Sequence, residues 1–293
     1  SPYGSCPPTR RMNVSTYTPR TAPDPNQTGW PSGIKYIIGN EGCERFSYYG
    51  MKAILFVYIV GLYMNLEGSN LEDARDTATE SMHLWSAAVY ALPLIGAIIS
   101  DRLLGKYRTI LYLSIVYCLG HLALALFEGP DFQQAAFGQV YIDPIQGMWI
   151  GLGLIALGSG GIKPCVSAHV GDQFGKGNWN LVENVFQAFY WIINFGSFFA
   201  TLAIPWLRKE YGNSVAFGLP GVLMLVATII FWMGRHKFVH APPKHAGKLG
   251  WMDTLCSTLL FMAIGHLFFT ASWPAWQILL ISVAFVVAGL MVF

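Results

Sequence analysis

The sequence predicts an all-α membrane protein that crosses the bilayer several times, and three observations predict it. Of its 293 residues only 12% are charged and 54% are hydrophobic, where an average soluble domain is about 25% charged. The apolar residues gather into eight long runs separated by polar loops, each near the roughly 20 residues that a helix needs to cross hydrocarbon. The basic residues of those loops fall mostly on alternate sides, as the positive-inside rule requires of a polytopic chain. The mean hydropathy of +0.43 agrees, and a formal net charge of +2 is too small to indicate a nucleic-acid partner.

Residues 1–33 are rich in Pro, Thr and Ser and lack the apolar h-region of a signal peptide. They are read as a disordered leader, with Met12 as a natural start. The glycosylation patterns at Asn13 and Asn26 are read as chance matches. The first span is expected over Ile34–Met64. The loop Asn65–Ser81, with Glu67, Glu72, Asp73, Asp76 and Glu80, leads to a second span over Met82–Leu103. The turn from Asp101 to Arg108 returns the chain into a third span over Thr109–Phe127. A loop, Glu128–Gln146, precedes a fourth over Met148–His169. A polar stretch to Asn184 leads to a fifth over Val185–Leu207, and the sixth covers Ala216–Met233. The resulting division is a leader (1–33), a six-helix bundle (34–234), a basic linker (235–249) and two further apolar helices (250–293).

With the N-terminus inside, the cytoplasmic side collects twelve of the 18 Lys and Arg residues, while Arg75, Arg208 and Lys209 stay outside. Arg45, Lys52 and Lys163 remain within spans. The five cysteines are dispersed and lie mostly in apolar runs, so they are read as free thiols rather than disulfide partners or metal ligands. His236, His240 and His245 are read as part of a solvated basic segment rather than a metal site.

The polar residues inside the spans carry the functional signal, because a charge at membrane depth normally faces a bundle interior or a water-filled cavity. In the first span Glu41, Arg45, Tyr48 and Lys52 recur at steps of three and four, with Glu44 and Tyr49 beside them. They share one stripe of a helix with about 3.6 residues per turn. In the second span His83 and Tyr90 lie seven apart and so on one face. A lone His there is either a packing hydrogen bonder or a titrating group. The fourth span carries Gly151, Gly153, Gly158, Gly160 and Gly161 before Lys163-Pro164. That spacing is not a dinucleotide fingerprint, and a phosphate loop would not place Pro after its Lys. The glycines are read as close-packing positions. Lys163 is read as a cavity-facing cation paired with a first-span carboxylate; the alternative is that it snorkels to an interface. Asn194 in the fifth span is either helix glue or a ligand contact.

Four segments together resemble the proton-dependent oligopeptide transporter family of the major facilitator superfamily. Glu41-Gly42-Cys43-Glu44-Arg45-Phe46-Ser47-Tyr48-Tyr49-Gly50 resembles that family's ExxERFxYYG signature. Gly160-Gly161-Ile162-Lys163-Pro164-Cys165 and Gly171-Asp172-Gln173-Phe174 are similar to its fourth-span segment, and Phe189 to Ser197 to its fifth. The turn with Asp101, Gly105, Lys106 and Arg108 resembles the loop motif of the wider superfamily. His169-Val170 departs from the pattern, where small or aromatic residues are usual. The resemblance covers Ile34 to about Met233 and implies the N-terminal six-helix bundle of a major facilitator fold. The two later stretches are similar in position to the paired linker helices of bacterial members. It also implies a second bundle beyond Phe293, with the substrate site between the two bundles.

What the resemblance implies is a proton-coupled symporter that imports di- and tripeptides by alternating access, in the inner membrane, with no cofactor beyond the coupling proton. Arg45 or Lys163 would hold the peptide carboxylate, and Arg offers a planar bidentate fork. Tyr48, Tyr49, Lys52, Tyr90 and Asn194 complete the implied substrate set. Glu41, Glu44 and His83 are the implied proton-coupling residues. Other readings stay open: a carrier of another small anion such as nitrate or a glucosinolate, or a non-transporting receptor or scaffold. No Gly-x-Ser-x-Gly elbow or His-Glu-x-x-His motif is present, which argues against a membrane hydrolase.

Overall fold

The structure, a computed structural model, describes residues 19–128 and 142–243. Seven α-helices make up these residues: α1 (Ile34–Leu66), α2 (Leu71–Ala91), α3 (Pro93–Ile98), α4 (Lys106–Leu126), α5 (Pro144–Asp172), α6 (Val182–Tyr211) and α7 (Asn213–Met233). Six stretches are long and apolar enough to cross a membrane, α2 and α3 counting as one with the turn that follows them. The two expected apolar helices after residue 249 lie outside the described residues, as do 1–18 and most of the loop after Glu128.

Two expectations about the second span need correction. Residues 71–81 are helical, not a loop, because Asn70 caps them: its side-chain oxygen accepts from the backbone N–H of Glu72 (3.0 Å) and Asp73 (2.9 Å). Glu72 and Asp73 then favour the positive N-terminal end of the helix. The span is also not a continuous α-helix. Pro93 cannot donate the hydrogen bond that would continue α2, and after α3 the chain passes through a π-helical turn, Ile99–Leu104. That turn ends at Gly105, whose φ of +79° only glycine adopts freely.

In lipid the association of helices rests on close packing rather than on expulsion of water, and the glycines of α5 supply it. A Cβ on Gly158 would lie 2.7 Å from Tyr117 Cβ, and one on Gly160 2.9 Å from Leu92 Cβ. Gly120 of α4 and Gly151 of α5 meet backbone to backbone, and Gly96 of α3 meets Gly161 in the same way. Gly153 alone of the five faces open space. So α5 packs along α4 and α3, while α1 lies against α6 and α7, and α7 also covers α4. Asn40 and Ser47 tie α1 to α7 by donating to the carbonyls of Ala227 (3.0 Å) and Pro220 (2.6 Å).

The end of the bundle where α1 begins, the proximal end, is closed by three segments that bond to one another. Residues 234–243 run across it as a strap. Val239 pairs with Arg20, and the His240 N–H donates to the Arg20 carbonyl at 2.7 Å. Gln173 uses its whole amide: it accepts from Val239 N–H (2.9 Å) and donates to the carbonyls of Val239 (3.2 Å) and His169 (3.0 Å). Phe238, fully buried, fills the space between the ends of α1, α4, α5 and α7. The basic segment is thus not wholly solvated: His240 is half-buried against Tyr107, with ring centroids 4.5 Å apart.

Candidate functional site

The first-span stripe forms one buried charge cluster. Glu41 and Glu44 are each 2% exposed. Arg45, one turn after Glu41, donates from Nε to Glu41 Oε1 at 2.6 Å and lies 3.2 Å from Glu44 Oε2. The guanidinium therefore serves two carboxylates at once. The two pairings are unequal. Glu41 holds a true hydrogen bond, whereas neither oxygen of Glu44 has a hydrogen-bond partner among the described residues. A buried carboxylate with only an ionic contact is poorly compensated, so Glu44 is the less well satisfied of the pair.

One turn further, Tyr48 is buried and stacks on Trp85 of α2, with ring centroids 5.8 Å apart. Trp85 is locked in turn by its Nε1–H, which donates to the Leu152 carbonyl of α5 at 3.0 Å. Tyr49 meets the Tyr48 ring edge-on at 5.4 Å. Lys163 of α5 reaches into this aromatic group. Its Nζ lies 4.7 Å from the centre of the Tyr48 ring and 5.6 Å from that of Tyr90. The expected pair between Lys163 and a first-span carboxylate does not form. The carboxylates are already taken by Arg45, and the ammonium rests on ring faces instead, a contact worth about 0.5–2 kcal/mol. Lys163 still lies within electrostatic reach of Glu41, Glu44 and Arg45, so two carboxylates face two cations.

The remaining candidates divide. Tyr90 is 72% exposed, with its ring under Lys163, so it lies at the open edge of the cluster. Lys52 is half-buried and His83 is exposed. Asn194 is exposed on α6 and donates to the Tyr190 carbonyl of its own helix at 2.9 Å, a bond within one helix that favours neither the helix-glue nor the ligand-contact reading. In the turn motif Lys106 forms a two-pronged ion pair with Asp172 at 2.7 and 2.9 Å. Both side chains are partly solvated, so the pair contributes at most about 1 kcal/mol. Asp101 accepts from Ser100 at 3.1 Å, and Arg108 is exposed.

Sequence reasoning passed over three participants. Trp85 orients Tyr48, and its position two residues after His83 was the available signal. Tyr117 and His121 of α4 are fully buried, their rings stack 5.1 Å apart, and neither polar end has a hydrogen-bond partner among the described residues. Each looks like an ordinary residue of an apolar run until the helices are packed.

Comparison with known proteins bears on the family and the fold. A family model described as the POT family matches residues 107–250. The chain is similar to human solute carrier family 15 member 2, 43% identical over 230 residues that make up 76% of this chain and 30% of that protein. It is similar to peptide transporter family 1 of Drosophila melanogaster, 42% identical over 228 residues, 73% of this chain and 28% of the relative. Among solved structures, the POT family transporter PepTSo superposes with a TM-score of 0.70 at 39% identity, covering 89% of this chain and 52% of the other. A second proton dependent oligopeptide (POT) family transporter superposes with a TM-score of 0.64 at 42% identity. The chain thus spans less than a third of the curated relatives' length and about half of those solved chains. The family model, these relatives and these structures place the chain in the POT family, and the six apolar spans among the described residues agree with it.

Proposed function

We propose that this chain supplies the first bundle of a multi-pass membrane carrier, not an enzyme, that couples inward proton movement to the uptake of di- and tripeptides. The reading puts the proximal end, and with it the N-terminus, in the cytoplasm. The site lies between this bundle and a second one, which would cover the exposed faces of Tyr90, His83 and Asn194. The observation that carries the reading is the buried pair of carboxylates sharing one guanidinium beside a lysine that has no carboxylate of its own. With both carboxylates charged the four groups balance, and a peptide carboxylate would add an uncompensated negative charge. A proton on Glu44 leaves one net positive charge, centred toward Lys163, for the peptide carboxylate to neutralise. Proton and peptide then favour each other's binding, which is the thermodynamic content of symport. The same charge balance would serve any small anion, and it is the relatives named peptide transporters that support the peptide reading.

The test uses the transporter that contains this chain, reconstituted in liposomes. An inward proton gradient should drive accumulation of a labelled dipeptide above its external concentration, and a protonophore should abolish the accumulation. Uptake of the dipeptide at the same rate and extent with and without the gradient would overturn the reading.

A further inference from the structure

We propose that His169 is an acid-operated release for the strap at the proximal end: a proton taken up by its ring expels Phe238 and detaches residues 237–240 from the bundle. His169 is 1% exposed, and neither ring nitrogen has a hydrogen-bond partner among the described residues. It is enclosed by Phe238, 5.1 Å away, and Phe231, 5.8 Å away, both edge-on. Its own carbonyl is already the acceptor of Gln173, the residue that grips Val239. A protonated imidazole carries two N–H donors and a full charge. This cage offers it phenyl rings and no acceptor.

The surrounding charges do not help a proton to stay. From α4 the site is faced by Lys106 and Tyr107, from α1 by Tyr36, from the strap by His240 and from α7 by Phe231. The nearest carboxylate on α5, Asp172, is bound at both oxygens to Lys106. Attraction to a ring face is smaller than the penalty of an unpaired buried charge, so the ring must reach water, and Phe238 stands in its way. The strap is the part able to yield. It is held by the Gln173 amide, the backbone pairing with Arg20, the Phe238 and Val239 side chains and the His240–Tyr107 contact, whereas α5, α4 and α7 are packed along their lengths.

The inference rests on the transport reading in one respect: that reading makes the proton signal cytoplasmic, so a carrier that brings protons in would sense its own product. The strap itself can be tested without substrate or gradient. Backbone hydrogen exchange of residues 237–241 is followed in the purified protein at neutral and mildly acidic pH, corrected for the intrinsic pH dependence of exchange. The Val239 and His240 amides should be protected at neutral pH, and acidification should reduce protection by roughly tenfold or more. His169→Phe, which keeps an aromatic ring and removes the titration, should stay protected at both. His240→Gln should release as the parent does. Protection in the parent that survives acid, equal release in His169→Phe, or loss of release in His240→Gln would each overturn the proposal. If His169→Phe does not fold, histidine-labelled parent decides: the His169 ring signals must titrate in the interval where protection is lost, and a ring that titrates elsewhere overturns it. A protein that fails to carry peptides leaves these outcomes unchanged.

Discussion

Arg45→Ala is expected to destabilise the bundle by about 3–5 kcal/mol, the usual consequence of removing one partner of a buried ion pair. The reason lies in what remains. Glu41 and Glu44 are both 2% exposed, and Arg45 bridges them at 2.6 and 3.2 Å. Without it two buried carboxylates face each other with no adjacent guanidinium, and at least one must take up a proton. A solvated ion pair would cost no more than about 1 kcal/mol to break; the large effect comes from burial. Arg45→Lys should recover only part of the loss, because a single ammonium cannot reproduce the planar fork. The check is the thermal unfolding midpoint in detergent, together with proton-driven peptide uptake. An unchanged midpoint in Arg45→Ala would mean that the carboxylates are already protonated in the resting protein.

Lys163→Ala is expected to do the opposite: little to stability and much to binding. Among the described residues its ammonium makes no ion pair, only contacts with the rings of Tyr48 and Tyr90. If it receives the peptide carboxylate, its removal deletes a charge-assisted hydrogen bond of about 1.5–3 kcal/mol, roughly a ten- to hundredfold loss of affinity. Titration calorimetry with a dipeptide reads this directly. Full affinity in Lys163→Ala would transfer the carboxylate to the outer nitrogens of Arg45. A large fall in the unfolding midpoint would show that Lys163 neutralises Glu44 in the resting protein.

The two predictions differ for a reason that also separates what the sequence reveals from what it hides. The Glu41–Arg45 bond lies within one helix, four residues apart, so periodicity alone exposes it. The partner of Lys163 depends on how α5 is rotated against α1 and α2, and no spacing along the chain contains that angle. Residues 71–81 show another kind of concealment. Their acidic composition reads as a loop, and only the Asn70 cap, followed by Glu72 and Asp73, marks them as the start of a helix. In the segment after α7, Phe238 and Val239 sit among basic residues, and charge outweighs them in any composition-based reading. Packing reverses the weighting, because two apolar side chains and one Gln amide hold the segment down. Asn194 shows the limit of motif reasoning. Its neighbourhood is recognisable, yet its side chain bonds to its own helix in the bundle as it stands.

In the mechanism we propose, a first-span carboxylate carries the coupling proton, and we assign that role to Glu44, buried with no hydrogen-bond partner among the described residues. The most direct measurement compares proton-driven accumulation with counterflow exchange in Glu44→Gln, Glu41→Gln and His83→Gln variants of the transporter that contains this chain. Glutamine keeps the shape of the carboxyl group but cannot gain or lose a proton, and counterflow requires no net proton movement. Glu44→Gln should lose accumulation and keep much of its exchange, while His83→Gln should keep both. Undiminished accumulation in both glutamate variants, with its loss in His83→Gln, would contradict the carboxylate mechanism and make the exposed histidine the proton site.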